Sequence, residues 1–416
     1  MTLATLEADR SQDFDVARVR ADFPCLQQTI HGRPLVFLDT AASAQKPTPV
    51  IDELARMLRE DYANIHRGIY DLSQRATDRH EAAREKVRGL LNAGEVREIV
   101  FTRNATEGIN LVAQSFVRPC VRQGDQVLIT AMEHHANIVP WQLLGEQCGL
   151  ELVVAPINDR GELLLDELEA LLSPRTRLVS LAWVSNALGT INPVPEVIAL
   201  AHDRGIPVLI DAAQAVQHLP VDVRALDCEF LVFSGHKLYG PSGIGALYGK
   251  ADLLAAMPPY QGGGEMISSV SFAGTEFNDI PYKFEAGTPA IEAAVALGTA
   301  IDYVQGLGLA NIAAHEAELL AYATRALQQV PGLRIVGTAR HKCSVLSFVM
   351  DQAHPQDIGT LLDLDGIAVR TGQHCAQPAI ERLGHSATAR ASLGLYNTQD
   401  DIDALVASLR RIAAMF

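Results

Sequence analysis

Lys237 and Asp211 could together carry out a chemistry that neither residue indicates alone. Lys237 comes shortly after the apolar run Phe230–Phe233, and Asp211 directly follows the apolar run Val208–Ile210. A lysine amine can form a Schiff base with an aldehyde, and a carboxylate can keep a pyridine nitrogen protonated so that the ring withdraws electrons. Separately, the two residues would more often be a solvated charge and a helix cap. Together, at the ends of two predicted strands, they predict a pyridoxal phosphate site.

Four hydroxyl or imidazole side chains could bind the phosphate of such a cofactor. Thr106 lies in the segment Thr102–Asn110, which follows a strand and opens a predicted helix whose free N–H groups favour an anion. A simple N-cap is the alternative interpretation of this segment. Ser234 and His236, beside the lysine, offer further donors and favour the phosphate interpretation. Thr288 offers a hydroxyl in a Gly-Pro turn, where a purely structural role is the alternative.

Two histidines and two amides could contact the ring of the cofactor. His134 and His135 follow the predicted strand Val127–Ile129. An imidazole here could stack on a pyridine ring and act as an acid or base, although the residues alone do not choose between the two histidines. Asn186 and Gln214 could hydrogen-bond the phenolic oxygen of the cofactor or the substrate. Isolated amides and a loop histidine pair would otherwise be turn and surface residues.

Cys375 differs in its surroundings from the other five cysteines. It lies in the polar loop Arg370–Pro378, where the neighbours Arg370 and His374 favour the thiolate. The other cysteines are scattered, and no C-x-x-C pair occurs, so neither a metal site nor a disulfide framework is predicted. Cys375 is therefore a candidate nucleophile.

Arg390 and His66 complete the set of candidate residues. Arg390 lies between small residues in the segment Thr388–Leu393, where a guanidinium could clamp an α-carboxylate through two hydrogen bonds. A surface salt bridge is the alternative role for this arginine. His66 begins a polar turn that could lie at the mouth of the site. We expect both residues, with Arg370 and Asn186, to bind the substrate.

The middle of the chain alternates short apolar strands with helical patterns, which is typical of a large α/β domain with a mainly parallel sheet. The predicted strands are 98–101, 126–129, 150–154, 178–182, 208–210 and 230–233. Most candidate residues come just after one of these strands. Because an open α/β sheet forms its binding crevice at the carboxyl ends of its strands, we expect the candidates to meet in one crevice.

A smaller C-terminal α+β domain is predicted after the large one. Helical patterns at 292–303 and 309–330 precede a Pro331-Gly332 break, the strand patterns 333–336 and 344–348, and a last helix at 400–415. We therefore predict three parts. They are an N-terminal segment (1–35) packing with the small domain, a cofactor-binding α/β domain (36–304), and a small domain with the cysteine loop (305–416).

The net charge of the chain disfavours two classes of partner, nucleic acids and anionic membranes. The 416 residues include 34 Lys and Arg against 49 Asp and Glu, a formal net charge of −15. Such a balance disfavours binding to nucleic acid or to an anionic membrane. No basic leader precedes an apolar segment at the N-terminus, and no apolar run approaches the ~18 residues of a membrane span. We expect a cytoplasmic location.

Taken together, the motifs resemble the aspartate-aminotransferase-like fold of pyridoxal phosphate enzymes, class V branch, and within it the SufS-type (group II) cysteine desulfurases. The resemblance extends over nearly the whole chain. Its motifs are Asn104-Ala105-Thr106-Glu107, Glu133-His134-His135-Ala136-Asn137, Asp211-Ala212-Ala213-Gln214, Ser234-Gly235-His236-Lys237 and Arg370-Thr371-Gly372-Gln373-His374-Cys375-Ala376. The short cysteine loop resembles group II and not group I. At one position the chain differs from the family, because Gln373 stands where a histidine is usual.

The resemblance implies a pyridoxal phosphate-dependent enzyme that converts L-cysteine to L-alanine and collects the sulfur as a persulfide on Cys375. Lys237 would hold the cofactor, and His134 rather than His135 would stack on its ring. The sulfur would pass to a SufE- or SufU-type acceptor for iron–sulfur cluster assembly, and selenocysteine could be a second substrate. Thr288 would reach the phosphate of the other subunit's cofactor, which implies a homodimer.

Two other functions compete with this one. Another class V enzyme, such as a kynureninase or an aminotransferase, would share Lys237 and Asp211 but would have no use for Cys375. A non-catalytic scaffold of iron–sulfur assembly could keep the fold and bind partners. The scaffold is disfavoured because every candidate catalytic position is filled by a residue capable of the chemistry.

Overall fold

The structure is a computed structural model that describes residues 14–415. The first 13 residues of the predicted N-terminal segment lie outside the described residues. The strands are β1 (Thr29–Ile30), β2 (Arg33–Pro34), β3 (Val36–Phe37), β4 (Ile99–Thr102), β5 (Gln126–Thr130), β6 (Glu151–Ala155), β7 (Thr176–Ala182), β8 (Val208–Asp211), β9 (Phe230–Ser234), β10 (Gly245–Gly249), β11 (Ile267–Ser271), β12 (Gly274–Phe277), β13 (Leu333–Val336), β14 (Val345–Met350), β15 (Ile367–Ala368), β16 (Arg370–Gly372) and β17 (Thr388–Ser392).

The described helices include long core helices and short connecting ones. They are α1 (Val16–Ala21), α2 (Thr48–Arg56), α3 (Asp71–Leu91), α4 (Ala105–Leu111), α5 (Val139–Cys148), α6 (Leu165–Leu171), α7 (Val194–His202), α8 (Val223–Leu226), α9 (Ala251–Ala256), α10 (Ile291–Leu307), α11 (Leu309–Leu327), α12 (Pro355–Leu364), α13 (Gln377–Arg382) and α14 (Gln399–Ala413). α2 and α4 continue as π-helical turns, Met57–Asp61 and Val112–Val117. Short 3₁₀ turns cover Pro24–Gln27, Val96–Glu98, His135–Asn137, Gly235–Lys237 and Tyr282–Phe284.

A seven-stranded sheet forms the centre of the large domain. Its strand order is β4-β10-β9-β8-β7-β5-β6, and the pairings among β5 to β9 are parallel. The predicted mainly parallel sheet is therefore confirmed. The sequence did not predict β10, which pairs antiparallel with both β4 and β9. All the strands except β10 thus end at the same edge of the sheet.

Every strand of this sheet except the edge strand β6 is covered on both faces, which explains why these strands are almost continuously apolar. Along β9, Leu231 and Phe233 belong to one buried cluster, whereas Phe230 and Val232 belong to the cluster on the opposite face. This alternation is what a strand buried on both sides requires. Gly108 of α4 lets that helix lie directly on the sheet, because a Cβ atom there would stand 2.6 Å from Val232 Cγ1.

The C-terminal domain is a four-stranded antiparallel sheet with helices packed on it. Its strand order is β13-β14-β17-β16. Apolar side chains of α11, α12 and α14 meet the sheet in one buried cluster. The observed helices α10 and α11 and strands β13 and β14 lie where the sequence patterns predicted them.

The beginning of the chain contacts both domains. Arg20 donates to Asp401 Oδ2 at 2.9 Å in the small domain, whereas the carbonyl of Asp22 accepts from Thr48 N at 2.7 Å. β3 pairs in parallel with β15. The first strand of the predicted 36–304 domain is therefore joined to a strand from the predicted 305–416 domain.

Among residues 14–415, no single helix has both the length and the apolar character needed to cross a membrane. The pair α10 and α11 meets those requirements only when taken together, and it is bent by 73°.

Candidate active site

The carboxyl-terminal edge of the large sheet and the cysteine loop of the small domain enclose a cavity of about 230 Å³. It brings together eleven of the predicted site residues, which are Thr106, His134, Asn186, Asp211, Gln214, Ser234, His236, Lys237, Arg370, Cys375 and Arg390. The residues thus meet at the sheet edge where the strand pattern placed them. His66 and Thr288 do not line this cavity.

Lys237 and Asp211 lie at the base of the cavity, at the ends of adjacent strands β9 and β8. Burial raises the pKa of Asp211, and the Lys237 ammonium opposes that rise. Ala213 N donates to Asp211 Oδ1 at 2.9 Å and fixes the carboxylate. Burial lowers the pKa of Lys237 to about 8. The amine is therefore unprotonated in part near neutral pH, as a nucleophilic lysine must be.

The turn that carries Lys237 is held by a loop that the sequence reasoning did not single out. The carbonyl of His236 accepts hydrogen bonds from Ala44 N at 3.1 Å, from Ser43 Oγ at 3.3 Å and from Lys46 Nζ at 2.9 Å. Burial lowers the pKa of Lys46 to about 8. Three donors on one carbonyl fix the position of the residue directly before Lys237.

The amino end of α4 forms the opposite wall of the cavity. Asn104 caps this helix by accepting from Glu107 N at 2.9 Å, and Ala105 N donates to Ser234 Oγ at 2.9 Å. Thr106 is exposed to the cavity. Gly245 of β10 permits the close approach of this turn, because a Cβ there would lie 2.8 Å from the Asn104 Cα. The wall therefore offers amide and hydroxyl donors to an anion.

His134 and His135 have different surroundings, which the sequence alone did not distinguish. His134 lines the cavity, and its Nδ1 accepts from Ala136 N at 3.0 Å, which assigns the proton of the neutral ring to Nε2. Burial and then the Lys237 charge lower the pKa of His134 to about 3. His135 instead donates its backbone N–H to the carbonyl of Cys375 at 2.7 Å. His134 is therefore the neutral ring that faces the cavity.

The two predicted amides hydrogen-bond backbone groups at the cavity wall. Gln214 Nε2 donates to the carbonyl of Ala41 at 2.6 Å. Asn186 Nδ2 donates to the carbonyl of His374 at 2.5 Å, immediately before the cysteine. Asn186 therefore connects the end of β7 with the cysteine loop.

Arg390 and Arg370 share one carboxylate, that of Asp39. Arg390 Nη2 donates to Asp39 Oδ1 at 2.8 Å, and Arg370 Nε lies 3.3 Å from Asp39 Oδ2. Arg390 Nη1 also donates to the carbonyl of Asn186 at 2.9 Å, whereas its buried Nε has no partner among the described residues. Asp39 was missed as a site residue, although it follows an apolar pair of residues in the way Asp211 follows a strand.

The cysteine loop has an uncommon backbone conformation. His374 and Cys375 follow one another with φ values of 54° and 55°, in the left-handed region that disfavours residues with a side chain. His374 is buried, its Nε2 lies 2.7 Å from Thr388 Oγ1, and burial lowers its pKa to about 3. The Cys375 side chain is exposed at the cavity, so an external thiol can approach it.

His66 and Thr288 lie on a separate surface of the large domain. Two neighbouring depressions there share Glu285, Gly287 and Pro289, and one contains His66 whereas the other contains Thr288. His66 Nε2 lies 2.9 Å from Glu81 Oε1. The structure therefore does not bring His66 or Thr288 together with the other predicted site residues.

No metal site was predicted, and one group of possible ligands occurs among residues 14–415. His66, His80 and Glu81 present ligand atoms within 4.8 Å of one another. Arg84 Nε also donates to Glu81 Oε2 at 3.0 Å, which places a positive charge against the carboxylate and disfavours a cation.

The main cavity fits pyridoxal phosphate in its donor set. Lys237 offers a partly neutral amine for the aldehyde, and Asp211 offers a fixed carboxylate for the ring nitrogen. The α4 end and Ser234 offer hydrogen-bond donors for the phosphate. The unpartnered Nε of buried Arg390 is one donor that a carboxylate of a bound amino acid could use.

Comparison with known proteins identifies the family of the chain. The family model for aminotransferase class-V matches residues 36–405. The chain is 53% identical to the cysteine desulfurase of Dickeya dadantii, over 96% of this chain and 97% of that protein. It is 52% identical to the cysteine desulfurase of Synechococcus elongatus over 99% of this chain, but it spans only 66% of the length of that relative.

The fold is shared with solved structures of the same family. The cysteine desulfurase CsdA from Escherichia coli superposes with a TM-score of 0.90 at 41% identity, covering 97% of this chain and 100% of that one. The predicted aspartate-aminotransferase-like fold is thereby confirmed. The chain belongs to the aminotransferase class-V family and, within it, to the cysteine desulfurases, which are pyridoxal phosphate enzymes.

Proposed function

We propose that the chain is a SufS-type (group II) L-cysteine desulfurase that forms L-alanine and a persulfide on Cys375. The observation that carries the proposal is the location of Cys375 in one cavity with Lys237 and Arg390. An aminotransferase or a kynureninase would need the lysine and the arginine but not an exposed cysteine facing them.

The roles of the residues follow from their positions and protonation. Arg390, with Arg370 beside it, binds the substrate carboxylate, and Lys237 is placed to remove the Cα proton once its amine is free. Pyridoxal phosphate, when bound, supplies the electron sink for the charge that develops at Cα. Asp211 would hold the protonated ring nitrogen of the cofactor, and His134, neutral with its proton on Nε2, would contact the ring and could donate a proton.

Sulfur transfer is the step assigned to Cys375. Its thiolate attacks the substrate sulfur, so that an S–S bond forms as the Cβ–S bond breaks. The carbon side keeps the electron pair of the broken bond and takes up a proton, and the amino acid released is alanine. One cysteine and one enzyme thiol thus give one alanine and one enzyme persulfide, with no external oxidant or reductant.

The exposure of Cys375 is compatible with transfer of the persulfide sulfur to another protein. We propose that an acceptor thiol of SufE or SufU type removes the outer sulfur in the cytoplasm, for iron–sulfur cluster assembly. We also propose L-selenocysteine as a second substrate. The exposed Cys375 side chain supports the transfer to an acceptor, because an acceptor protein must reach that atom.

We propose further that the working form is a homodimer in which Thr288 and His66 of one subunit serve the other subunit's site. Thr288 and His66 lie near one another and outside their own cavity, which supports this arrangement. Arg67 beside them donates to the carbonyl of Ile267, so the β11–β12 hairpin belongs to the same surface. Ile69 and Phe272 are fully exposed there, as expected of residues that another subunit covers.

The test is alanine release from L-cysteine under reducing conditions at equal pyridoxal phosphate occupancy. We expect Cys375→Ala to lower the rate at least about a hundredfold, since the sulfur then lacks its nucleophile. Cys120→Ala is the matched control, because Cys120 is exposed elsewhere and should leave the rate unchanged. Lys237→Ala should abolish turnover of every substrate.

Activity with L-selenocysteine separates the role of Cys375 from that of Lys237. Selenium can leave without nucleophilic help, so Cys375→Ala should retain alanine formation from selenocysteine. Undiminished desulfuration of cysteine by Cys375→Ala would refute the persulfide step. If the wild-type enzyme forms no alanine but gives transamination or another product, the competing class V functions are favoured. A purified chain without a cofactor absorption band would favour the scaffold.

A further inference from the structure

The backbone around Cys375 needs support from outside its own loop. Two consecutive residues with side chains, His374 and Cys375, adopt the left-handed conformation. Such a pair is unfavourable unless the surroundings hold it in place. The position of the thiol therefore depends on the groups that bind the loop.

The helix that follows the cysteine has no cap of its own. α13 begins at Gln377, and its N-cap residue, Ala376, has no side chain able to accept a hydrogen bond. A helix begins with free N–H groups that must find acceptors elsewhere. Gln377 N finds one in the ring of His135, whose Nε2 accepts it at 3.2 Å.

His135 therefore makes two hydrogen bonds to the loop, one at the carbonyl of the cysteine itself and one at the amide two residues after it. Its backbone N–H donates to the carbonyl of Cys375 at 2.7 Å, and its ring accepts from Gln377 N. Asn186 and Thr388 hold only the preceding residue, His374. Because the ring accepts at Nε2, the neutral tautomer must carry its proton on Nδ1.

We propose that His135 is a positioning residue for Cys375. From the large domain, His135 caps α13 and thereby sets the Cys375 thiol against the substrate sulfur. The adjacent histidines then have separate tasks, since His134 faces the cavity and His135 faces the loop. The inference rests on the proposed nucleophilic role of Cys375. A displacement of about 1 Å in a reacting atom can cost about a hundredfold in rate.

Two substitutions in the full-length enzyme loaded with pyridoxal phosphate isolate the ring acceptor. His135→Phe keeps a planar ring but removes the acceptor, whereas His135→Gln can offer an amide oxygen near the place of Nε2. We expect His135→Phe to lower kcat with L-cysteine about tenfold or more, with KM and the cofactor absorption spectrum unchanged. His135→Gln should recover most of the rate.

Hydrogen exchange measured by mass spectrometry on the peptide 373–380 gives a readout independent of turnover. The amide of Gln377 should exchange faster in His135→Phe than in the wild type, and His135→Gln should restore protection. Equal exchange and equal kcat in His135→Phe and wild type would overturn the positioning role. Should Cys375→Ala show that the persulfide step is wrong, the exchange experiment still decides whether His135 holds the loop.

Discussion

Asp39 orients the two arginines of the site through a single carboxylate. Arg390 is buried and Arg370 is half exposed, and both donate to Asp39. Burial lowers the pKa of Arg390, and the Asp39 charge opposes that shift. An anion at this point thus compensates a buried cation before any substrate carboxylate arrives.

Asp39→Asn removes this charge and retains the shape of the side chain. We expect KM for L-cysteine to rise roughly tenfold with a smaller change in kcat, because the guanidinium of Arg390 is no longer oriented for the carboxylate. The free energy of unfolding should fall by about 3 kcal/mol, since a buried cation is left without its partner. Steady-state kinetics and chemical denaturation measure the two effects.

A matched control comes from an exposed aspartate of the small domain. Asp363 pairs with His31 at 3.0 Å where both side chains are more than half exposed. Asp363→Asn should change neither KM nor stability measurably. An unchanged KM in Asp39→Asn would show that Arg390 binds the substrate without help from this carboxylate.

Single residues could be singled out where a reactive group followed an apolar strand, as for Lys237 and Asp211, or stood in a polar loop, as for Cys375. Lys237, Asp211 and Cys375 carry side chains whose chemistry is recognisable from their neighbours. Asp39 and Lys46 were not recognised, because their partners, Arg390 and the carbonyl of His236, are distant in sequence. Contacts of that kind exist only once the chain has folded.

Glu133 joins two elements of the large sheet. It follows β5, accepts from Ala182 N of β7 at 2.9 Å, and accepts from Asn137 Nδ2 at 2.7 Å. Thr130 Oγ1 lies 2.6 Å from its other oxygen. Burial, with a smaller contribution from Asp211, raises the pKa of Glu133 from near 4.5 to about 7.

The raised pKa predicts how stability depends on pH. Between about pH 4.5 and pH 7 the folded protein keeps a proton that the unfolded chain loses, so this contribution is full below pH 4.5 and is lost as the pH rises through 7. Glu133→Gln resembles the protonated form at every pH. The wild type should therefore lose about 2 to 3 kcal/mol relative to Glu133→Gln between pH 5 and pH 8.

Chemical denaturation of the two holoenzymes at both pH values measures this difference. A parallel change in the free energy of unfolding would mean that Glu133 is ionised in the folded protein across the range. His135→Gln can serve as a second comparison for the pH dependence of the free energy of unfolding, because it changes the adjacent turn and leaves Glu133 in place.

Elements of the large sheet were predictable where a continuous apolar run marked them. The apolar runs at β5, β7, β8 and β9 were recognised because strands buried on both faces are continuously apolar. β10 was missed, since Gly245 and Gly249 bound a run of only three other residues. Its antiparallel direction depends on pairing with β4, which no local pattern displays.

At the scale of the whole molecule, the exposed surface around Ile69 predicts association. We expect a sedimentation mass of about twice the chain's 44.9 kDa. Ile69→Asp should shift the enzyme towards monomer, because it places a charge where a second subunit would bury an apolar side chain. Leu364→Asp, at an exposed leucine of α12, is the matched control and should leave the mass unchanged. A wild-type monomer at micromolar concentration would contradict the proposed homodimer.

The pairing of β3 with β15 affects the order in which the molecule can be completed during synthesis. The seven strands between Ile99 and Gly249 can pair while the residues after Gly249 are still being synthesised. Val36–Phe37 has no partner strand until Ile367–Ala368 leaves the exit tunnel. A nascent chain thus contains Asp211 and Lys237 before it contains Cys375. The order of translation therefore delays sulfur chemistry until the last elements of the chain have docked.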